Sequence, residues 1–64
     1  MFITLTLIDS RPIEINLNRI EYFTDNNIDR VGSILYFSLQ DSVKVKESVE
    51  EIYYKIRNER ITNG

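Results

Sequence analysis

Apolar and polar residues alternate from the second position onward. Ile3, Leu5 and Leu7 fall on one side, with Thr4 and Thr6 on the other. A period of two predicts a half-buried strand over about residues 2–8. Asp9, Ser10 and Arg11 then form a polar turn, because Asp and Ser side chains bond nearby backbone N–H groups. Pro12 has no N–H to donate, so it belongs at a strand start or an edge. Ile13, Ile15 and Leu17 alternate with Glu14 and Asn16, which predicts a second strand over about 12–17. The two strands are expected to pair as an antiparallel hairpin. Ile20 with Tyr22 or Phe23 suggests a third, short strand at about 19–23. Thr24 to Gly32 concentrates Asp, Asn and Gly and reads as a loop.

Ser33 to Leu39 is β-branched and aromatic, the composition of a central strand. Leu35, Phe37 and Leu39 lie on one face, Ile34 and Tyr36 on the other. Apolar residues on both faces predict a second buried side, as an oligomer interface would produce. Residues 42–46 form the last expected strand, with Val43 and Val45 inward and Lys44 and Lys46 outward. Such lysines discourage edge-to-edge aggregation.

The period then changes. Val49, Ile52, Tyr53 and Ile56 fall at i, i+3, i+4 and i+7, which predicts a helix over about 49–60 with one apolar stripe. Ser48 and Glu51 have the spacing of a capping box. Glu50 and Glu51 favour the positive end of the helix dipole; Lys55, Arg57 and Arg60 favour the negative end. Glu51 and Lys55 are also spaced to pair. Tyr53 falls on the stripe. Tyr54 falls beside it and is the better candidate for a partner surface. The expected fold is α+β: a small antiparallel four- to five-stranded bent sheet or barrel, followed by one C-terminal helix, in a single domain over residues 1–64.

Length changes what this fold requires. With 64 residues the chain is one domain, and a unit this small is marginal on its own core. Below about 70 to 80 residues, disulfides, a metal or a partner chain usually supplement the core. Cysteine and histidine are both absent, which removes disulfides, thiolate sites and the commonest transition-metal ligand. Association with copies of itself remains, most simply as a dimer, with Ile34, Tyr36 and Tyr54 as its expected contacts. The net charge of −2 argues against a general nucleic-acid binder. No stretch approaches the roughly 18 apolar residues of a spanning helix, and no basic leader pattern is visible. A cytoplasmic location without membrane insertion is the expectation.

Candidate chemistry is sparse. Asp25, Asn27 and Asp29 match the start of a calcium loop. Arg30 stands where the loop needs glycine, and Tyr36 stands where it needs a bidentate glutamate. A solvated loop is the expected reading, with no metal. The serines have no histidine base. Glu14, Glu21, Glu47 and Glu50 read as exposed positions, so no activated nucleophile or tuned acid is expected and no enzymatic role follows. No cofactor is implied. Lys44 and Lys46, with Lys55, Arg57, Arg60 and Tyr54, offer a weak nucleic-acid surface. A small anionic ligand would need grouped arginines, and Arg11, Arg19 and Arg30, in or beside turns, are the candidates.

The stretch LTLIDSRPIEINLNRIEYF, followed by a strand and VKVKESVEEIYYKI, resembles the small flagellar FlbD/SwrD-type proteins. The likeness rests on the leucine-threonine first strand, the Asn16 to Ile20 segment, and Val45, Glu47, Ser48, Val49, Glu50, Glu51, Ile52 and Ile56. It covers most of the chain outside Thr24 to Gly32. The first turn is DSR where that family usually has Asn-Gly. The resemblance implies a non-catalytic flagellar motor accessory. It also extends to short chains of phages and mobile elements, for which an inhibitor of another protein or a sponge for a nucleotide signal is the corresponding expectation. All of these are binding or assembly roles of a homo-oligomer.

Overall fold

The two alternating segments at the N-terminus form β1 (Phe2–Thr6) and β2 (Pro12–Asn16). They pair antiparallel, with Ile3 opposite Ile15 and Leu5 opposite Ile13. This register stacks four apolar side chains on one face, where Ile3, Leu5 and Ile15 are buried. The turn between them works as its sequence suggests: Ser10 adopts a positive φ of 76°, and the Arg11 N–H donates to Asp9 Oδ1 at 3.1 Å. β1 stops at Thr6, short of the expected Ile8: Leu7 closes the hairpin, donating to the Arg11 carbonyl and accepting from the Ser10 N–H, each at 2.8 Å, and also forms a single bridge to Val45.

We describe a computed structural model over residues 1–38 and 40–63, with side chains to residue 58. Leu39 and the Arg60 side chain, both named above, lie outside the described residues. The second sheet comprises β3 (Tyr22–Asp25), β4 (Ser33–Tyr36) and β5 (Ser42–Val45), antiparallel in that order. The helix α1 runs Val49–Asn63, three residues beyond the expected end.

The third strand lies later than its sequence suggested. Leu17–Arg19 form a turn of 3-10 helix instead, because the Asn16 side chain accepts from the Asn18 N–H at 3.0 Å and so draws the chain out of the extended state. That turn also corrects the barrel. β2 and β3 form no ladder, so the strands are split into sheets of two and three and the structure does not close. The two sheets meet at the Leu7–Val45 bridge. There the Lys46 N–H donates to the Thr6 carbonyl at 2.8 Å. Glu47 completes the joint: its carboxylate accepts from the Thr6 N–H and the Thr6 hydroxyl, each at 2.9 Å. Glu47 is half-buried in this role, not the exposed position its sequence context indicated.

Ile3, Leu5, Ile15, Leu35, Val45 and Ile52 form one core under the helix. α1 begins at the expected capping box: the Glu51 N–H donates to Ser48 Oγ at 3.1 Å and the Ser48 N–H to Glu51 Oε1 at 3.2 Å. That use of Glu51 turns its carboxylate toward the cap and away from Lys55. Ile52 is fully buried, and Val49 and Ile56 are half-buried. Tyr53 departs from the expected stripe. It is 58% exposed and touches the body through a tilted contact with Phe23, ring centroids 5.2 Å apart.

Candidate interaction surfaces

Alternation along β4 sends Leu35 into the core and Ile34 and Tyr36 to the opposite, outer face of the three-stranded sheet. Register places Tyr22 of β3 directly opposite Tyr36, and Thr24 opposite Ile34. The two tyrosine rings stack, with centroids 4.5 Å apart and planes 18° from parallel. Offset stacks of this kind contribute about 0.5–1.5 kcal/mol beyond the area they bury. Tyr22 remains 55% exposed, whereas Ile34 is only 5% exposed. Of the three expected contacts, Tyr36 therefore stands at the surface in a built aromatic pair. Ile34 is already covered within one chain. Tyr54 is exposed on α1, which packs on the other side of the sheet, so it is not brought together with Tyr36. Tyr22, the ring that completes the pair, was not singled out in the sequence. Its signal was the apolar-aromatic run before the loop, misread by the shift of strand three.

The seam left open between β2 and β3 holds an apolar cleft of about 310 Å³ lined by Met1, Leu17, Ile20, Tyr22, Phe23 and Ile56, with Asn18 and Glu21 on its walls. It lies where a closed barrel would have had a ladder. Its walls supply dispersion contact and no convergent set of polar groups.

The loop between β3 and β4 is built around Asn26, which is buried at 2% exposure. Its Oδ1 accepts from the N–H groups of Ile28 and Asp29, at 3.1 and 3.0 Å. Its Nδ2 donates to Asp29 Oδ2 at 3.0 Å. Asp29 also meets Lys44 at 3.2 Å. The Asn26 amide first, and the Lys44 ammonium after it, hold the Asp29 carboxyl below its ordinary pKa. A group shifted this way stabilises the fold above the ordinary carboxylate range and loses that contribution as pH falls through its folded pKa. Asp29, one of the residues matching the start of the calcium-loop pattern, is thus committed to an internal network. Replacing Asn26 by alanine removes the acceptor of two loop N–H groups, and each such hydrogen bond contributes about 0.5–1.5 kcal/mol. The expected result is faster amide exchange at Ile28 and Asp29 and a lower thermal midpoint; unchanged exchange at both would contradict this role.

The three arginines do not converge. Arg11 Nε meets Asp9 Oδ2 at 2.7 Å beside the first turn. The Arg11 N–H, and then its guanidinium, lower the Asp9 pKa. Arg30, with a positive φ of 60°, lines a separate polar cleft with Asp25, Asn27 and Ser48. Arg19 ends the 3-10 turn and does not line that cleft. Lys46 bonds the Ser10 hydroxyl. Among the described residues no group of three acidic side chains is placed to hold a metal ion. None of their helices is long and apolar enough to cross a membrane.

No protein-family model, curated protein or solved structure matches the chain.

Proposed function

We propose that the protein is a non-catalytic assembly module that acts as a homo-oligomer, most simply a dimer, and associates through the β3 margin of its three-stranded sheet. The observation that carries this reading is the Tyr22–Tyr36 stack: two aromatic rings fixed against each other on a sheet face, one of them 55% exposed. Tyrosine contributes large, rigid, amphipathic contact area with few rotatable bonds to immobilise, which is why it is enriched at interfaces. The arginines, spread over separate turns, argue against a pocket for an anionic ligand within one subunit. The accessory role implied by the flagellar resemblance is one setting in which such a module would work.

Tyr36→Glu removes the stack and places a carboxylate beside Tyr22. The expected outcome in light scattering is a fall from oligomer to monomer mass with the circular dichroism spectrum retained. An unchanged oligomer mass would place the interface elsewhere. Tyr54→Glu, on the helix side, tests that second surface separately and is expected to leave the mass unaltered.

A further inference from the structure

Resting on that reading of self-association, we infer that the contact is made by backbone pairing: the free edge of β3 joins the β3 edge of a second copy, antiparallel about a two-fold axis, to give a continuous six-stranded sheet. β3 stands at the end of the order β3-β4-β5, so one of its edges carries no ladder. The Asn26 N–H donates to the Gly32 carbonyl at 3.1 Å. Backbone groups alternate in direction along an antiparallel strand. Asn26, Thr24 and Tyr22 therefore turn their backbone groups to β4, and Phe23 and Asp25 turn theirs outward.

The other free edge is less able to pair. Leu7 N–H to Arg11 carbonyl and Leu17 N–H to Met1 carbonyl set the same alternation in the hairpin, at 2.8 and 2.9 Å. Pro12, Glu14 and Asn16 are then the outward positions of β2, and Pro12 has no N–H to offer. Proline and charge are the usual devices that keep an edge from pairing. β3 has no proline and no lysine.

Charge selects the register. Four two-fold registers set outward-pointing residues opposite one another. With Asp25 on the axis the two Asp25 residues oppose each other, and with Tyr22 on the axis Phe23 faces Glu21, whose N–H is engaged with β4. With Phe23 on the axis, Glu21 of each copy would face Asp25 of the other, a like-charge pair on both sides. Glu21 is also unsuited because its N–H already donates to the Tyr36 carbonyl at 2.9 Å. With Thr24 on the axis, Phe23 of each copy pairs with Asp25 of the other, and Glu21 faces the neutral Asn27. That register makes two backbone hydrogen bonds, from each Asp25 N–H to the Phe23 carbonyl of the other copy, because the Asp25 carbonyl already accepts from the Asn27 N–H at 3.1 Å and from the Thr24 hydroxyl at 3.2 Å. It leaves no acid opposite an acid. It also carries the loop tip with Ile28, 75% exposed, toward the Ile20 segment of the second copy.

The exposed area of the whole chain is large enough to leave room for a partner. A folded monomer of 7.6 kDa exposes about 4,300 Å² by the scaling for soluble proteins. This chain exposes 4802 Å². The excess, about 500 Å² per copy, sums over two copies to about the 1,000 Å² that a specific interface must clear.

The test combines native mass spectrometry with amide exchange on the full chain. At concentrations from about 1 to about 100 µM, spanning the dissociation constants of small interfaces, the wild type is expected to form a dimer. The Asp25 amide is expected to slow as it forms. Asp25→Pro deletes an outward donor from each copy while leaving the bonds to β4, and is expected to weaken the dimer at least about tenfold. Suppose the dimer persists in Asp25→Pro, or the wild-type Asp25 amide exchanges at one rate across the range. Edge pairing is then overturned, while association through the tyrosine face stands. If the wild type is monomeric throughout, both fall. Should Asp25→Pro not fold, the wild-type amide rates decide alone.

Discussion

Replacing Gly32 by alanine is expected to remove most of the stability of this fold. Gly32 sits just before β4 with φ at +74°. An L side chain in the left-handed region costs about 1–2 kcal/mol. The larger effect is steric. A Cβ at this position would collide with the Val45 carbonyl oxygen, and it would stand 3.0 Å from the Lys46 carbonyl carbon. Both are backbone, so no side chain can swing away. β5 would have to shift from β4, which strains the adjoining joint at Thr6, Leu7 and Glu47. Overpacking of this kind adds about 1–3 kcal/mol. A chain of 64 residues has a total stability of about 3–10 kcal/mol at ordinary values per residue. Urea unfolding followed by circular dichroism is expected to show either a strongly lowered midpoint or no cooperative transition. A wild-type midpoint would mean that Gly32 does not lie against β5.

Leu35→Ala is expected to cost about 2–5 kcal/mol, the range for truncating a fully buried leucine. Leu35 is 0% exposed at the centre of β4, flanked across the sheet by Phe23 and Val43. It belongs to the core that also contains Ile52 of the helix. The lost methyl groups leave a cavity bounded by a sheet on one side and a helix on the other, and neither collapses readily. The same urea experiment reads the loss. A change below about 1 kcal/mol, the size of a surface substitution, would show that this position is not central.

Both positions show how far local pattern reaches. Leu35 was legible because alternation in a strand assigns faces without knowledge of the rest of the chain. The hairpin of β1 and β2 and the Ser48–Glu51 cap were legible for the same reason: each is decided by residues within a few positions of one another. Gly32 and Glu47 act through contacts that only the assembled fold creates. Thr6 and Glu47 are 41 positions apart, and no local pattern marks the pair. The third strand moved because one Asn16 side-chain bond stabilised a 3-10 turn where propensity alone favoured extension. Tyr53 fitted the helical stripe, yet it stays 58% exposed and meets the body at Phe23. The stripe was read from period alone, which fixes a face of the helix but not how much of that face the body covers.

The candidate surface followed the same division. The apolar outer face of β4 was visible in Ile34 and Tyr36. What that face offers depended on its neighbours: Thr24 and Lys44 flank Ile34 in register, and Tyr22 stacks on Tyr36. The exposed element is consequently the tyrosine pair at the sheet margin. The arginines could not be grouped or separated by sequence spacing, since turns far apart along the chain adopt positions set by the core.

Sedimentation equilibrium of the unmodified chain tests the central claim most directly. A single species at an integer multiple of 7.6 kDa, dissociating only on dilution, is the predicted result. A cooperative, fully folded species that sediments at the mass of one chain at every concentration would contradict it.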